Sequence, residues 1–500
     1  MADGMTIPAV TMTNSGRVSG VARQGHIAFL GIPYAKAERF APPEPATPWS
    51  GVKEATMIGF AAPQTSHAII GFAASGPQDE DCLNLNVFTP ACDGGRRPVM
   101  VFIHGGGFTH GAGYEPLYDG GSLAVRGDVV VVTINYRLGA FGLLRLPEIG
   151  AQGNQALLDQ VMALTWVRDN ISAFGGDQAE VTVFGESAGS AAIGCLLTMP
   201  SARGLFRRSI QQSGVGRAST ADAAREIADA LLDLLGLNRS RASDLKTIEP
   251  ARILQAQAQI GKKLGPTARF NPVIDGASLP LAPALAIAEG AAKNFDIIIG
   301  TNRDEMKLFA AATQREPIDD AALLREVLTA LPEASEGDTR ELIAVYRRSR
   351  KARQLPDSNL DILDAIAGDI RFRIASMRWA ANQRAAGGKA WLYLFTHASP
   401  ARRGAFGACH ALEQAFVFGT LNAPTQEKFA GTGPDVQRLS REMMDCWLSF
   451  ARTGDPAHRS VAPWSQYDTV RHPTMIFGTR ASGQEFDPFD EERAAIEQLT

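Results

Sequence analysis

Val181-Thr182-Val183-Phe184-Gly185-Glu186-Ser187-Ala188-Gly189-Ser190 decides how this chain is read. It opens as a β-branched and aromatic run, which predicts a buried strand. It closes in small residues leading into Ala191-Ala192-Ile193-Gly194-Cys195-Leu196-Leu197, which predicts a helix start. Between the two, Gly185-Glu186-Ser187-Ala188-Gly189 is a G-x-S-x-G pentapeptide. Set between a strand and a helix, that pattern is a nucleophile elbow: the serine occupies a strained turn, and the glycines keep side chains off the crowded backbone. The following helix aims its free N–H groups and positive dipole end at the same point.

Outward from the elbow, Pro98–His104 and Asp128–Tyr136 are almost uninterrupted apolar runs, expected for central strands covered on both faces. Leu157–Val167 carries a helical pattern between them and the elbow. Strands alternating with helices predict an α/β sheet, mostly parallel and flanked by helices. Residues 6 to 30 predict a small antiparallel meander, and Glu80–Phe88 an alternating strand. Downstream strands are expected at Asp296–Gly300, Ala390–Phe395 and Thr474–Phe477. Two sections, about 217–290 and 317–386, are rich in helical pattern. In the first, Thr220 is placed to cap a helix whose apolar face carries Ile227, Leu231, Leu234 and Leu235, with Gly236 stopping it. The basic run Arg347–Arg353 predicts a solvated helix end. The expectation is a single catalytic domain, 1–500, whose two helical insertions cap one sheet.

His104-Gly105-Gly106-Gly107-Phe108 follows a central strand directly. Three glycines let backbone N–H groups approach a substrate with no side chain in the way, as an oxyanion hole requires. A serine nucleophile also needs a base, and the base an orienting acid. In an α/β-hydrolase they follow in the order serine, acid, histidine. Four histidines lie after Ser187: His397, His410, His458 and His472. His410 sits in a glycine-led loop entering an apolar segment, His397 closes a strand, and the other two lie in polar, turn-like sequence. Thr301-Asn302-Arg303-Asp304-Glu305, after the strand at 296–300, offers Asp304 and Glu305 as rival acids.

The bulk properties suit such an enzyme and argue against other classes. Five hundred residues, 45% hydrophobic and 20% charged, can bury a large core. A net charge of −4 gives no basic field for nucleic acid or an anionic membrane. Neither a signal-like N-terminus nor a run of eighteen apolar residues is present, so no membrane span is expected. The five cysteines, Cys82, Cys92, Cys195, Cys409 and Cys446, have no metal-ligand spacing and fit a reducing cytoplasm.

Taken together these stretches resemble a type-B carboxylesterase, the cholinesterase-related branch of the α/β-hydrolases, and especially the bacterial para-nitrobenzyl esterases. Further matching stretches are Gly31–Ala35, Arg39-Phe40, Glu80–Asn86, Asn135–Gly142, Gly153-Asn154, Leu158–Gln160, Gln212–Gly214, His410 with Glu413, and Gly454–Pro456. The resemblance implies Ser187 as nucleophile, Glu305 as triad acid and His410 as base, with the N–H groups of Gly106, Gly107 and Ala188 as oxyanion donors. It implies ion pairs of Arg39 with Glu80 and Arg137 with Asp159. It also implies supporting roles behind the triad for Glu186 and Ser213, while His104 orients the glycine loop.

The chain departs from the family pattern in places. The cysteine that many relatives pair with the position of Cys82 is absent before Pro63-Gln64, and Met306 stands where relatives usually have glycine. Aromatics, at 7%, offer no counterpart to a cholinesterase gorge, so choline esters are not favoured. The resemblance implies hydrolysis of small to medium-sized carboxylic esters through an acyl-enzyme, with no metal or organic cofactor and water as the second substrate. Carbamate or amide hydrolysis by the same triad is the alternative. A non-catalytic cholinesterase-like binding protein is the remote one, since such proteins lose triad members that this chain keeps. Pocket walls are expected from the 60–78 loop and the two helical insertions.

Overall fold

The protein is described by a computed structural model covering residues 9–66, 73–265, 267–311 and 315–500. Part of the 60–78 loop, residues 67–72, therefore lies outside the described residues, as does the start of the N-terminal meander. Twelve strands follow one another across the sheet: β1 (Ala9–Thr13), β2 (Gly16–Arg23), β3 (His26–Pro33), β4 (Asn84–Thr89), β5 (Arg97–Ile103), β6 (Val130–Ile134), β7 (Gly176–Glu186), β8 (Arg208–Gln212), β9 (Asp296–Asn302), β10 (Lys389–Phe395), β11 (Pro473–Phe477) and β12 (Gly483–Phe486). Their spatial order is β1-β2-β3-β4-β6-β5-β7-β8-β9-β10-β11-β12, with Val52–Glu54 pairing β2 to one side. From β6 to β11 every neighbour is parallel, and both flanks are antiparallel. This is the mixed, mostly parallel sheet of the α/β-hydrolase fold.

The long apolar runs end at the sheet centre because parallel strands there bury both faces. On β5, Val99, Val101 and Ile103 enter one core while Met100 and Phe102 enter the other. Phe102, Phe184 and Phe418 pack together behind the elbow, with ring centroids 4.9 to 5.4 Å apart. Strand β4 alternates in sequence yet is buried throughout. Its polar positions are satisfied inside: Asn84 Nδ2 donates to Phe60 O (2.8 Å), and Asn86 Nδ2 to Thr133 Oγ1 (2.9 Å). Alternation here marks internal hydrogen bonding, not a wet face.

Section 217–290 contains helices Ala221–Leu234, Pro250–Leu264 and Pro283–Ala288. Thr220 Oγ1 accepts from Ala223 N–H, and Gly236, at φ 72°, follows the helix end. The apolar face differs from expectation: Leu234 is 37% exposed, and Ala224, Ala228 and Leu232 complete the buried stripe with Ile227 and Leu231. Section 317–386 contains Asp320–Ala330, Glu336–Ala352, Asn359–Gly368 and Ile374–Ala385, with a π-helical turn at Asp369–Arg373. The basic run is only partly a solvated helix end. Arg350 is buried, its Nε donating to Pro356 O (2.6 Å) and its guanidinium 3.8 Å from Asp304 Oδ1. Among the described residues no helix is long and apolar enough to cross a membrane.

Candidate active site

The chemistry-bearing loops leave the C-terminal ends of β5, β7, β8 and β9, side by side at the sheet centre. Parallel strands bring successive carboxyl ends to one edge, where such sheets form their clefts. After β7, Ser187 adopts φ 54° and ψ −118°, a conformation non-glycine residues rarely accept. The strain is held by Ser187 N–H on Gln212 O (2.8 Å) and by the helix Ala188–Leu196 starting at the next residue. A Cβ on Gly189 would lie 2.0 Å from Ile103 O, so the turn closes directly onto β5.

After β5 the glycine loop doubles back over the elbow. Gly106 takes φ 106°, and a Cβ there would lie 2.1 Å from His110 O. Among the described residues the N–H groups of Gly106, Gly107 and Ala188 donate to no protein acceptor. His104 anchors the loop from below: its ring stacks on Tyr136 at 4.5 Å, Tyr136 Oη donates to His104 O, and Nδ1 lies 2.8 Å from Gly105 O. Burial holds the His104 imidazole down at about 4, so it stays neutral.

After β9 the two rival acids part company. Asp304 Oδ2 accepts from Ala408 N–H (2.8 Å) and from Arg303 (2.8 Å), while Asp304 N–H donates to Ala408 O (2.8 Å). Its carboxyl stays below the usual range: burial pushes it up, but Arg303, the Ala408 N–H and Arg350 outweigh that. Asp304 thus clamps the loop that carries His410. Glu305 turns the other way, its Oε2 2.6 Å from His410 Nδ1 and its Oε1 accepting from Asn302 N–H. The remaining histidines are occupied elsewhere: His397 with Ala430 O, His458 with Ser460 Oγ and His472 with the Tyr467 hydroxyl.

Glu186, expected behind the triad, stands closer than that. Its Oε1 is 2.9 Å from His410 Nε2, although the two are not aligned as a hydrogen bond. Burial disfavours charge on His410, but Glu186 and Glu305 overcome it and raise the imidazole well above its ordinary value of 6.5. No hydrogen bond joins Ser187 Oγ to His410 among the described residues; catalytic contacts of this kind commonly tighten only around substrate. Ser213, at φ 52°, is held by its N–H on Gly300 O, and its buried hydroxyl has no partner among the described residues.

Several residues around His410 carried no role in the sequence reading. Phe309 and Phe372 lie against its ring, at centroid distances of 5.0 and 5.1 Å. Phe372 belongs to the π-helical turn, a register that helical periodicity does not reveal. Beneath the histidine, buried Glu413 accepts from Gln212 Nε2 (3.0 Å) and Asn302 Nδ2 (2.6 Å). Burial and then the like charges of Glu186 and Glu305 push it up to about 7. The only signal for Gln212 and Glu413 was their place in the matching stretches.

Two ion pairs fix the surrounding loops. Arg39 Nε meets Glu80 Oε2 at 2.8 Å, and Arg137 binds Asp159 through Nε (2.9 Å) and Nη2 (2.7 Å). The Arg137–Asp159 pair is buried, so its value is in fixing geometry more than in net stability.

Comparison with known proteins agrees with this architecture. The sequence profile described as the Carboxylesterase family matches residues 7–493. The chain is 39% identical to a para-nitrobenzyl esterase of Bacillus subtilis (strain 168), over 98% of this chain and 99% of that protein. It is 35% identical to a phenmedipham hydrolase of Pseudarthrobacter oxydans, over 94% and 95% respectively. Among solved structures, the Geobacillus stearothermophilus carboxylesterase EST55 superposes with a TM-score of 0.85 at 38% identity, covering 97% of this chain and 99% of that one. The chain belongs to the carboxylesterase family and is a serine esterase built on the α/β-hydrolase fold.

Proposed function

We propose that this enzyme hydrolyses small to medium-sized carboxylic esters, with Ser187 as nucleophile, His410 as base and Glu305 as the acid that orients it. The observation that carries the assignment is the 2.6 Å contact of Glu305 Oε2 with His410 Nδ1, in a loop beside the strained Ser187 elbow. Ser187 Oγ attacks the ester carbonyl carbon as its proton passes to His410 Nε2. The N–H groups of Gly106, Gly107 and Ala188 receive the oxyanion. Collapse expels the alcohol, protonated by His410, and leaves an acyl-enzyme that water attacks with the same histidine as base. The helical sections 217–290 and 317–386 cap this centre within one domain. The test is mass spectrometry after organophosphate treatment: an adduct on Ser187 supports the assignment, and an adduct elsewhere or none overturns it.

The carboxylates around His410 give the reaction a pH signature. The imidazole must be neutral to accept the serine proton, and Glu186 and Glu305 hold its proton on. The kcat/KM is therefore expected to rise with pH through a midpoint above 6.5, the ordinary histidine value. A midpoint below that value on a neutral ester contradicts the reading.

Gly106→Ala is expected to lower kcat about 100-fold, with KM changed much less. The added Cβ collides with His110 O and displaces a donor that serves the transition state. A change confined to KM reduces the loop to ground-state binding.

The five cysteines are unpaired, and four are buried. Burial pushes the Cys92 thiol up to about 11 and Cys195 to about 12. In keeping with a cytoplasmic enzyme, unreduced protein is expected to titrate five thiols only after denaturation. Three or fewer contradicts that location.

A further inference from the structure

Three arginines that the proposed reaction does not use lie on segments tied to the elbow or to the turn that touches His410. Arg217 ends the segment that leaves β8 through Gly214. That segment packs on the elbow: Ser190 Oγ donates to Gly214 O (2.7 Å), and a Cβ on Gly214 would lie 2.6 Å from Ser187 O. Cys195 Sγ, on the helix behind the nucleophile, donates to Arg217 O at 3.5 Å.

Arg269 lies four residues before Val273, which forms an isolated parallel bridge. Ser219 pairs with Val273, through Ser219 N–H on Pro272 O (2.7 Å) and Ile274 N–H on Ser219 O (3.0 Å). Continued back, that parallel register sets Asn271 opposite Arg217, with Arg269 two residues before it. Arg371 belongs to the π-helical turn, next to Phe372 and its contact with His410.

All three side chains are open to solvent. Even so, surrounding protein desolvates Arg217, and the charges of Arg269 and Arg371 lower it further. Arg269 is lowered likewise, by desolvation and then by Arg371. Each guanidinium therefore feels the charge of its neighbours. Among the described residues none of the three has an acidic partner or a hydrogen-bond acceptor for its guanidinium. Elsewhere in this protein Arg39, Arg137, Arg303 and Arg373 all rest on carboxylates. Three unpaired like charges repel one another, and an anion of matching geometry relieves that repulsion; the planar guanidinium fork fits a carboxylate best.

We propose that Arg217, Arg269 and Arg371 bind a second, ionised carboxylate on the acyl part of the substrate, so that the enzyme prefers half-esters of dicarboxylic acids. The inference rests on the ester-hydrolase reading above. The acyl side is chosen because the acyl group stays attached to Ser187, and Arg217 ends the segment packed on the Ser187 backbone.

The test compares 4-nitrophenyl hydrogen glutarate with 4-nitrophenyl valerate, which match in chain length and differ in the terminal carboxylate. The ratio of their kcat/KM values, anionic over neutral, is expected to exceed one in the wild type. It is expected to fall about tenfold in the triple variant Arg217→Gln, Arg269→Gln, Arg371→Gln, through KM of the anionic ester. Arg217→Lys, which keeps charge and loses the fork, is expected to fall between the two. If the triple variant does not fold, sodium chloride titration of the wild type replaces it, since screening must lower the ratio while the neutral ester serves as reference.

A wild-type ratio at or below one overturns the proposal. So does a fall of less than about threefold in the triple variant, or, where salt replaces it, a ratio that salt leaves unchanged. Brisk valerate hydrolysis with such a ratio leaves the esterase reading intact. Failure to hydrolyse either ester overturns both.

Discussion

Ser187→Ala is expected to lower kcat by about a millionfold while the protein stays folded. Ser187 is the residue on which the strained turn is centred, and it alone there carries a nucleophilic atom. Removing the hydroxyl deletes the acyl-enzyme step, because neither glycine loop nor histidine offers another nucleophile at that point. The fold survives because the side chain makes no hydrogen bond among the described residues. The backbone N–H contact to Gln212 O that holds the turn is untouched. The check is steady-state hydrolysis of a 4-nitrophenyl ester alongside a thermal melt. Wild-type rates in a folded Ser187→Ala protein remove the basis of the mechanism.

Glu305→Gln is expected to cut kcat by about ten-thousandfold, again without unfolding. Glu305 Oε2 meets His410 Nδ1 at 2.6 Å, and in the proposed mechanism its charge stabilises the imidazolium that forms as Ser187 attacks. The amide keeps the shape but loses the charge and can present an N–H to Nδ1, selecting the wrong tautomer. Asp304→Asn is the control from the adjacent residue. Asp304 faces Arg303, Arg350 and the Ala408 N–H, so its replacement is expected to appear in stability, by about 1–3 kcal/mol, with far less loss of rate. Rates and denaturant midpoints for both variants decide the matter. The reverse ranking makes Asp304 the acid.

Much of this protein was legible in its sequence because the informative features are local. A strand, a G-x-S-x-G turn and a helix lie within some twenty residues, so backbone propensity and glycine placement announce the elbow at Ser187 without any distant contact. The apolar runs at 98–104 and 128–136 foretold strands buried on both faces, since no other setting suits so many adjacent apolar side chains. The burial of β4 was not legible: its alternation is that of a half-wet strand, and only the neighbours Phe60 and Thr133 show that Asn84 and Asn86 are satisfied inside.

What depends on distant chain segments meeting was decided by tertiary structure alone. Position left Asp304 and Glu305 equal and the family resemblance favoured Glu305, but the divergence of their side chains depends on where the 407–410 loop meets residues 304 and 305. Arg350 read as one charge of a solvated run, yet packing buries it and turns it toward Asp304. Glu186 neighbours Ser187 in sequence, but its approach to His410 Nε2 requires the end of β7 to meet a loop more than two hundred residues away. Phe372 meets His410 from a turn in π register, and the anion site proposed above draws Arg217, Arg269 and Arg371 from three segments far apart in sequence. Local pattern fixes backbone shape through short-range sterics, whereas the charge and packing around a reacting atom are set by side chains from segments far apart in sequence.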